Sequence, residues 1–184
     1  MSLESWEYDT MDSDKKKMII VGLDNAGKST ILLTMKRQLG PHNFQELQPT
    51  KGLQTEEFET DEMVYHVFDF GGQKNYREKY LERPIYFAST DILIFVIDIQ
   101  DDKRFDLALK YLDDILALIN DLGEKPDCSI FFHKFDPEIS DLEEYQKRSR
   151  NLRQKIRQIF KKYSFSLKIY HTSIYTVFEK IQVM

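Results

Sequence analysis

The stretch GLDNAGKS, residues 22–29, decides the fold. It matches the pattern G-x-x-x-x-G-K-[ST] in full, and it lies between a strand-like apolar run at 17–23 and an apolar helical stripe at 29–39. A glycine-rich loop that joins a strand to a helix is the context in which this pattern binds phosphate. The stretch therefore predicts a phosphate-binding loop, with a glycine turn beside an incidental lysine as the alternative.

The residue types of this loop suit a triphosphate. Its two glycines let the backbone curl so that the N–H groups of residues 25–30 point at phosphate oxygens. The N-terminus of the next helix adds partial positive charge. Lys28 supplies a point charge to the β- and γ-phosphates, and the Ser29 hydroxyl is a candidate ligand for Mg²⁺. The predicted nucleotide-binding residues of the loop are Asp24, Asn25, Ala26, Gly27, Lys28, Ser29 and Thr30.

The rest of the chain predicts an α/β fold, because strand-length apolar runs alternate with helical patterns. Further strands are expected at 53–59, 63–70, 91–98, 128–132 and 164–171. Helices are expected at 105–119, at 141–163 and from residue 174 onward, and a long loop at 40–52. Residues 53–59 and 63–70 read as a hairpin. The 184 residues suit one domain at 18–184, preceded by a flexible acidic tail at 1–17.

The amino-acid composition argues against several classes of function. A net charge of −5 argues against general nucleic-acid binding, which needs a basic surface to neutralise phosphates. The single cysteine, Cys128, has no partner for an internal disulfide, which favours a reducing compartment. No apolar run approaches the roughly 20 residues that a membrane-spanning helix needs. We therefore expect a cytoplasmic protein.

Two further stretches supply candidates for the metal and for the reaction. FDFGGQ (68–73) ends a strand with Asp69, a carboxylate suited to hold Mg²⁺ through water. Gly72 is placed to bring its N–H to a γ-phosphate, and Gln73 to orient an attacking water. Thr50 lies in the preceding loop, where its hydroxyl and backbone can meet Mg²⁺ and the γ-phosphate. A plain Gly-Gly turn and an ordinary loop threonine are the alternatives.

FFHKFD (131–136) follows another apolar run and supplies candidates for reading the base. A carboxylate at Asp136 accepts two parallel hydrogen bonds from guanine N1–H and N2–H₂, whereas adenine presents the opposite pattern. We expect Asp136 to select guanine by roughly 2–4 kcal/mol, because a mismatched base leaves a buried charge unpaired. The methylene stem of Lys134 is expected to cover one face of the purine. Backbone N–H groups for the guanine carbonyl are expected from Thr172, Ser173 and Ile174, unless the serine simply caps the next helix.

Together, GLDNAGKST, PTKG, DFGGQ, HKFD and TSI resemble the five guanine-nucleotide motifs of the Ras superfamily, in the same order. The first and third look like the Arf and Arf-like branch, whose phosphate loop also carries an Asp at the position of Asp24. The nineteen-residue step from Thr50 to Asp69 is similar to the short interswitch hairpin of Arf proteins. HKFD and HTSIYTVFEKI look more like Rag/Gtr GTPases. The resemblance implies a P-loop NTPase G domain with a mostly parallel six-stranded sheet and helices on both faces.

The resemblance also implies an activity, a GTP-binding regulatory switch in signalling or membrane trafficking that hydrolyses GTP to GDP with Mg²⁺. Gln73 and Lys28 are the expected catalytic residues. No arginine lies within residues 38–60, so intrinsic turnover on the order of 10⁻⁴ to 10⁻³ per second is expected. Arg77 and Arg83 are alternative cis cations or solvated surface residues. GTPase-activating factors, exchange factors and switch-region effectors are the implied partners.

The main departure from the superfamily pattern is His133, which stands where Asn is usual. It can make one bond to the phosphate loop but does not reproduce a carboxamide, so we expect nucleotide affinity to be weaker by roughly 1 kcal/mol. A core residue unrelated to the base is the alternative. This substitution and the Rag-like ending leave open a non-hydrolytic guanine-nucleotide-binding scaffold that acts through homo- or heterodimerisation.

The sequence does not favour a lipid anchor. Arf proteins typically carry a myristoylated Gly at position two, where this chain has Ser2, and no C-terminal cysteine offers prenylation. Five acids within residues 1–14 are repelled by anionic lipid. The helix predicted at 141–163 carries eight basic residues from Lys147 to Lys162, which form either a solvated face or a lipid or partner surface. Peripheral membrane contact is therefore the alternative to a purely cytoplasmic location.

Overall fold

A six-stranded sheet organises the chain. The computed structural model describes residues 15–35, 50–59 and 64–174. The strands are β1 (Lys15–Gly22), β2 (Leu53–Glu59), β3 (Val64–Phe70), β4 (Ile92–Asp98), β5 (Asp127–His133) and β6 (Ser166–His171). Their order across the sheet is β2-β3-β1-β4-β5-β6. Only the β2–β3 pair is antiparallel; all other neighbours are parallel, so five strands end at the same edge of the sheet.

Helices cover both faces of this sheet. They are α1 (Lys28–Met35), α2 (Lys74–Leu81), α3 (Phe105–Asp121), the short α4 (Pro137–Ser140) and α5 (Glu143–Phe160), with 3₁₀ turns at Pro84–Phe87 and Asp102–Arg104. Successive side chains of a strand point to opposite faces. Ile19 and Val21 of β1 accordingly belong to the core cluster that contains residues of α3 and α5, whereas Met18 and Ile20 pack in the cluster of α1.

The predicted elements that lie within the described ranges are recovered, with three main differences; the short α4 was also not predicted. Lys15–Lys17 are the first residues of β1, so the sheet starts before the expected boundary at residue 18. The helix expected at 141–163 is α5, and Leu142, expected in its apolar stripe, is 51% exposed at the extended N-cap position. The helix α2 was not predicted.

Several predictions concern residues outside the described ranges. The acidic tail up to residue 14, the end of the first helix, the loop at 40–49, the turn at 60–63 and the closing helix beyond Ile174 all lie there. Within the described residues, no helix has both the length and the apolarity to cross a bilayer.

Candidate functional site

The predicted site residues gather at the edge where the parallel strands end. The phosphate loop follows β1, Asp69 is the penultimate residue of β3, and His133 ends β5. Such crevices at the carboxyl ends of parallel strands are the usual ligand sites of α/β sheets. The residues nominated from the sequence therefore come from one continuous region of the molecule.

The phosphate loop is built on tight backbone geometry. Asn25 has a φ of 59° and Gly27 a φ of 92°, both in the left-handed region. A Cβ on Gly27 would lie 2.4 Å from Cδ2 of the His133 ring, so only glycine fits there. Ala26 is buried, and its N–H makes a long 3.4 Å bond to the Leu23 carbonyl. Thr30 lies in the first turn of α1, after Lys28 and Ser29.

Lys28 reaches back over this loop. Its side chain is 6% exposed, and its ammonium donates to the carbonyls of Gly22 at 3.2 Å and of Leu23 at 2.9 Å. Burial lowers the pKa of Lys28 to about 8, although the charges of Asp69 and Asp24 act against that shift. A phosphate group would supply the negative charge that this buried ammonium lacks.

The three predicted metal residues form one cluster. The hydroxyls of Ser29 and Thr50 each donate to Oδ2 of Asp69 at 3.0 Å, and the two hydroxyl oxygens lie 2.9 Å apart. Oδ1 of Asp69 is buried and has no hydrogen-bond partner. Burial raises the pKa of the Asp69 carboxyl, while Lys28 and the two hydroxyls lower it. Oxygen ligands with an unsatisfied carboxylate oxygen fit Mg²⁺, which typically takes one or two carboxylates and completes its shell with water and phosphate.

The turn after β3 lies directly on the phosphate loop. The Asp24 N–H donates to the Gly72 carbonyl at 3.1 Å, and a Cβ on Gly72 would lie 2.2 Å from the Asp24 nitrogen. The Gly71 N–H donates to the Gly52 carbonyl at 3.0 Å, which ties the segment after Thr50 to the same turn. Gln73 then opens α2 at the N-cap, with no capping bond from its side chain. Both loops expected to sense the γ-phosphate therefore meet at one point.

Asp136 is held from two sides. Ser173 donates its hydroxyl to Oδ1 of Asp136 at 2.5 Å, and the Gln100 amide donates to Oδ2 at 3.2 Å. Gln100 also donates to the Lys134 carbonyl at 2.9 Å. Lys134 has a φ of 58°, and its ammonium pairs with Asp98 at 2.7 Å. The segment expected to read the base is thus held by Asp98 and Gln100, at and just after the end of β4, and by Ser173.

His133 lies between two parts of the candidate site. We call the part around Lys134 and Asp136 the base end, and the part formed by the phosphate loop, Thr50 and Asp69 the phosphate end. It is 3% exposed, its Nδ1 lies 2.9 Å from the Thr172 hydroxyl, and its ring edge lies against Gly27. Burial, followed by the charge of Lys134, lowers the pKa of His133 to about 4, so the ring is neutral near pH 7. The histidine is a buried residue that still makes the contact between the two loops.

One expectation for the last strand is wrong. The Thr172 N–H donates to the Phe132 carbonyl at 3.0 Å, so it continues the sheet and is not available to a guanine carbonyl. The Thr172 hydroxyl meets His133 instead. Ser173 contributes its side chain to Asp136, and Ile174 is the last described residue.

Three residues were missed by sequence reasoning. They are Asp98, Gln100 and Arg104, which follow the apolar core of β4. Arg104 donates to the Asp24 carboxylate at 3.1 Å and to its carbonyl at 3.2 Å, and it also pairs with Asp101. The polar run DIQDDKR (98–104) after a buried strand was the available signal, since it ends at the same sheet edge as the phosphate loop.

Comparisons with known proteins show the family to which the chain belongs. The model of the ADP-ribosylation factor family matches residues 6–176. ADP-ribosylation factor-like protein 3 of Caenorhabditis elegans is 40% identical over 91 residues, which cover 49% of this chain and 46% of that protein. ADP-ribosylation factor-like protein 6 of Danio rerio is 38% identical over 107 residues, 55% of this chain and 54% of that one. The chain thus spans about half the length of the curated relatives it matches.

Two solved structures share the fold. The Arl6 BBS3 small GTPase of Trypanosoma brucei, with the bound nucleotide analogue GppNp, has a TM-score of 0.66 at 23% identity and covers 92% of this chain and 96% of its own. The mammalian SRP receptor has a TM-score of 0.67 at 14% identity, with coverages of 86% and 91%. At these identities the likeness concerns the fold alone. The predicted P-loop NTPase fold is confirmed.

Proposed function

Because the chain belongs to the ADP-ribosylation factor family, we propose that it is an Arf-like regulatory switch that binds GTP and hydrolyses it to GDP with Mg²⁺. The observation that carries the proposal is the cluster of the half-buried Ser29 and Thr50 with the buried Asp69, beside the buried Lys28. Oxygen ligands and a buried ammonium are what a Mg²⁺-bound triphosphate needs. The Rag-type features of the base motif stay a prediction.

In the proposed complex the triphosphate lies on the phosphate loop. The Lys28 ammonium contacts the β- and γ-phosphates, and the N–H groups of residues 25–30 surround their oxygens. Ser29 and Thr50 would hold Mg²⁺ by their hydroxyls, and the Asp69 carboxylate would supply the negative charge of the metal site. When bound, Mg²⁺ neutralises charge on the β- and γ-oxygens.

Guanine is selected at the other end of the crevice. The Asp136 carboxylate accepts from N1–H and N2–H₂ of the base, and the Ser173 hydroxyl fixes the carboxylate's orientation. The methylene stem of Lys134 covers one face of the purine, because its ammonium is held in the ion pair with Asp98. Adenine would leave Asp136 facing an acceptor, at a cost of roughly 2–4 kcal/mol.

Hydrolysis follows from the position of Gln73 at the start of α2. Its side chain makes no capping bond, which leaves the carboxamide free to orient a water molecule. The water oxygen forms a bond to the γ-phosphorus, and the bond from that phosphorus to the β,γ-bridging oxygen breaks. GDP leaves with the electron pair, and the water proton passes to the released phosphate. Lys28 offsets the charge that grows on the bridging side.

Loss of the γ-phosphate changes the surface formed by the two segments that contain Thr50 and Gly72. Thr50 and Gly72 lie in two segments linked through the Gly71–Gly52 hydrogen bond, so both respond to one phosphate group. Activating factors, exchange factors and effectors are expected to recognise these segments. The switch would act in signalling or trafficking, in the cytoplasm or peripherally at a membrane.

Single-turnover phosphate release tests the proposal. The wild type should release phosphate from bound GTP, and Gln73→Leu should bind GTP normally but release phosphate at least about 100-fold more slowly. If neither protein releases phosphate, even with cell extract, while both retain nucleotide, the hydrolytic proposal fails and the dimerising scaffold replaces it.

A further inference from the structure

Arg104 binds both the side chain and the backbone of Asp24, a residue of the phosphate loop. Its guanidinium donates to the Asp24 carboxylate at 3.1 Å and to the Asp24 carbonyl oxygen at 3.2 Å. A planar guanidinium that holds two groups of one residue restrains the rotamer of that residue as well as the direction of its carbonyl. Arg104 therefore determines where the negative charge of Asp24 lies.

Arg104 is itself held by the end of the sheet. It is the N-cap residue of α3, in the turn that follows β4, and its Nε donates to the Asp101 carboxylate. The Asp101 N–H donates to the carbonyl of Asp98, the last residue of β4, at 3.2 Å. Because the guanidinium is anchored on the side away from Asp24, it is a fixed support for the phosphate loop.

The charge of Asp24 is unfavourable where a triphosphate is proposed to bind. The Asp24 N–H donates to the carbonyl of Gly72, in the turn expected to sense the γ-phosphate. A carboxylate in this loop repels phosphate oxygens by Coulomb's law, and the repulsion grows as the charges approach. Among the described residues, only Arg104 forms an ion pair with Asp24. Loss of Arg104 would leave the carboxylate unpaired and free to turn toward the ligand.

We propose that Arg104 is a positioning residue that holds the Asp24 carboxylate away from the γ-phosphate and thereby sets the preference of the protein for GTP over GDP. The proposal rests on the function proposed above and deepens it. The role is indirect, because Arg104 acts through Asp24. GDP has no γ-phosphate, so a released carboxylate weakens GTP binding more than GDP binding. The quantity that reports the role is the ratio of the two affinities.

The test measures, for the full chain with Mg²⁺, the dissociation constants of GDP and of a non-hydrolysable GTP analogue. Arg104→Ala should lower the affinity for the analogue relative to GDP by about five- to tenfold, the effect of one unneutralised charge at a half-exposed site. Arg104→Lys should lose less, since an ammonium keeps the charge but not the fork. Lys103→Ala removes the same charge from the exposed neighbouring position, and as the matched control it should keep the ratio within about twofold of the wild type.

A double variant separates positioning from packing. In Arg104→Ala combined with Asp24→Asn, the neutral amide does not repel phosphate, so the double variant should recover the ratio that Arg104→Ala loses. If Arg104 only supported the turn before α3, the second substitution would recover nothing. If Arg104→Ala does not fold, Arg104→Gln replaces it in the same comparison, because it keeps a long polar side chain without the charge.

The possible results differ in what they overturn. A ratio in Arg104→Ala within about twofold of the wild type overturns the role of Arg104 and leaves the GTP-binding proposal intact. A loss that Asp24→Asn does not recover also overturns it, because the effect then does not pass through the Asp24 carboxylate. A wild type that binds neither nucleotide overturns the proposed function and the role of Arg104 with it.

Discussion

The base end and the phosphate end of the crevice differ in how far the protein satisfies its own polar groups. At the base end, Asp136 is bonded by Ser173 and Gln100, and Lys134 is paired with Asp98. At the phosphate end, Oδ1 of Asp69 is buried without a hydrogen-bond partner. The polar side chains of the base end have protein partners, whereas the phosphate end contains a carboxylate oxygen that has none.

The difference indicates which end of the crevice selects the base and which end changes conformation with the phosphate that is bound. A pre-organised carboxylate discriminates between bases without rearrangement. A buried carboxylate oxygen without a partner, in contrast, makes the local structure depend on what binds it, which is the requirement for a ligand-driven switch. We therefore expect changes at the phosphate end to alter affinity and conformation, and changes at the base end to alter specificity.

The largest effect is expected at Lys28. Lys28→Ala removes charge-assisted hydrogen bonds to two phosphates and should weaken GTP binding by about 1000-fold. Titration with a fluorescent GTP analogue measures this. Lys74→Ala, whose side chain is 82% exposed on α2, is the control and should bind like the wild type. If Lys28→Ala lowers GTP affinity by less than tenfold, the assignment of Lys28 to phosphate binding is contradicted.

The buried neutral His133 makes the link between the two ends sensitive to acid. Its folded pKa of about 4 lies below its unfolded value, so the unfolded chain binds the extra proton and stability falls as pH drops through 6.5 toward 4. Between pH 7 and pH 5 this group alone should remove about 2 kcal/mol from the free energy of unfolding. Urea unfolding of the wild type and of His133→Asn should show a shallower pH dependence in the variant. Equal slopes would contradict a buried neutral histidine.

A smaller effect is expected at Gln100, which orients the carboxylate of Asp136. Gln100→Ala should raise the dissociation rate of GDP by about three- to tenfold, the effect of one hydrogen bond of about 1 kcal/mol. Stopped-flow release of a fluorescent GDP analogue measures it, with the exposed Gln154→Ala on α5 as the control. Unchanged release in Gln100→Ala would show that Asp136 is held by Ser173 alone.

The phosphate loop was the easiest part of the candidate site to nominate from the sequence, because its residues 24–30 are contiguous. The order of the strands in the sheet could not be read from the sequence. We therefore missed two contacts, of Asp98 with Lys134 and of Gln100 with Asp136. In each pair the two residues are 36 positions apart in the sequence. They arise because β4 and β5 are parallel neighbours, with Asp98 opposite His133.

The helix α2 escaped prediction for a different reason. Its buried residues are Arg77 and Tyr80, so hydrophobic periodicity does not reveal which side faces the core. A sequence pattern assigns charged residues to the surface, and the structure buries one here.

The central claim is that the phosphate loop and the carboxylate of Asp136 together select guanine nucleotides. Competition binding tests it most directly, with GTP, ATP and xanthosine triphosphate in the presence of Mg²⁺. The wild type should prefer GTP over ATP by about 30- to 1000-fold. Asp136→Asn should lose that preference and gain xanthosine triphosphate, because an amide N–H can donate to the 2-oxo group of xanthine. A wild-type protein that binds ATP as tightly as GTP, or neither of them, would contradict the account.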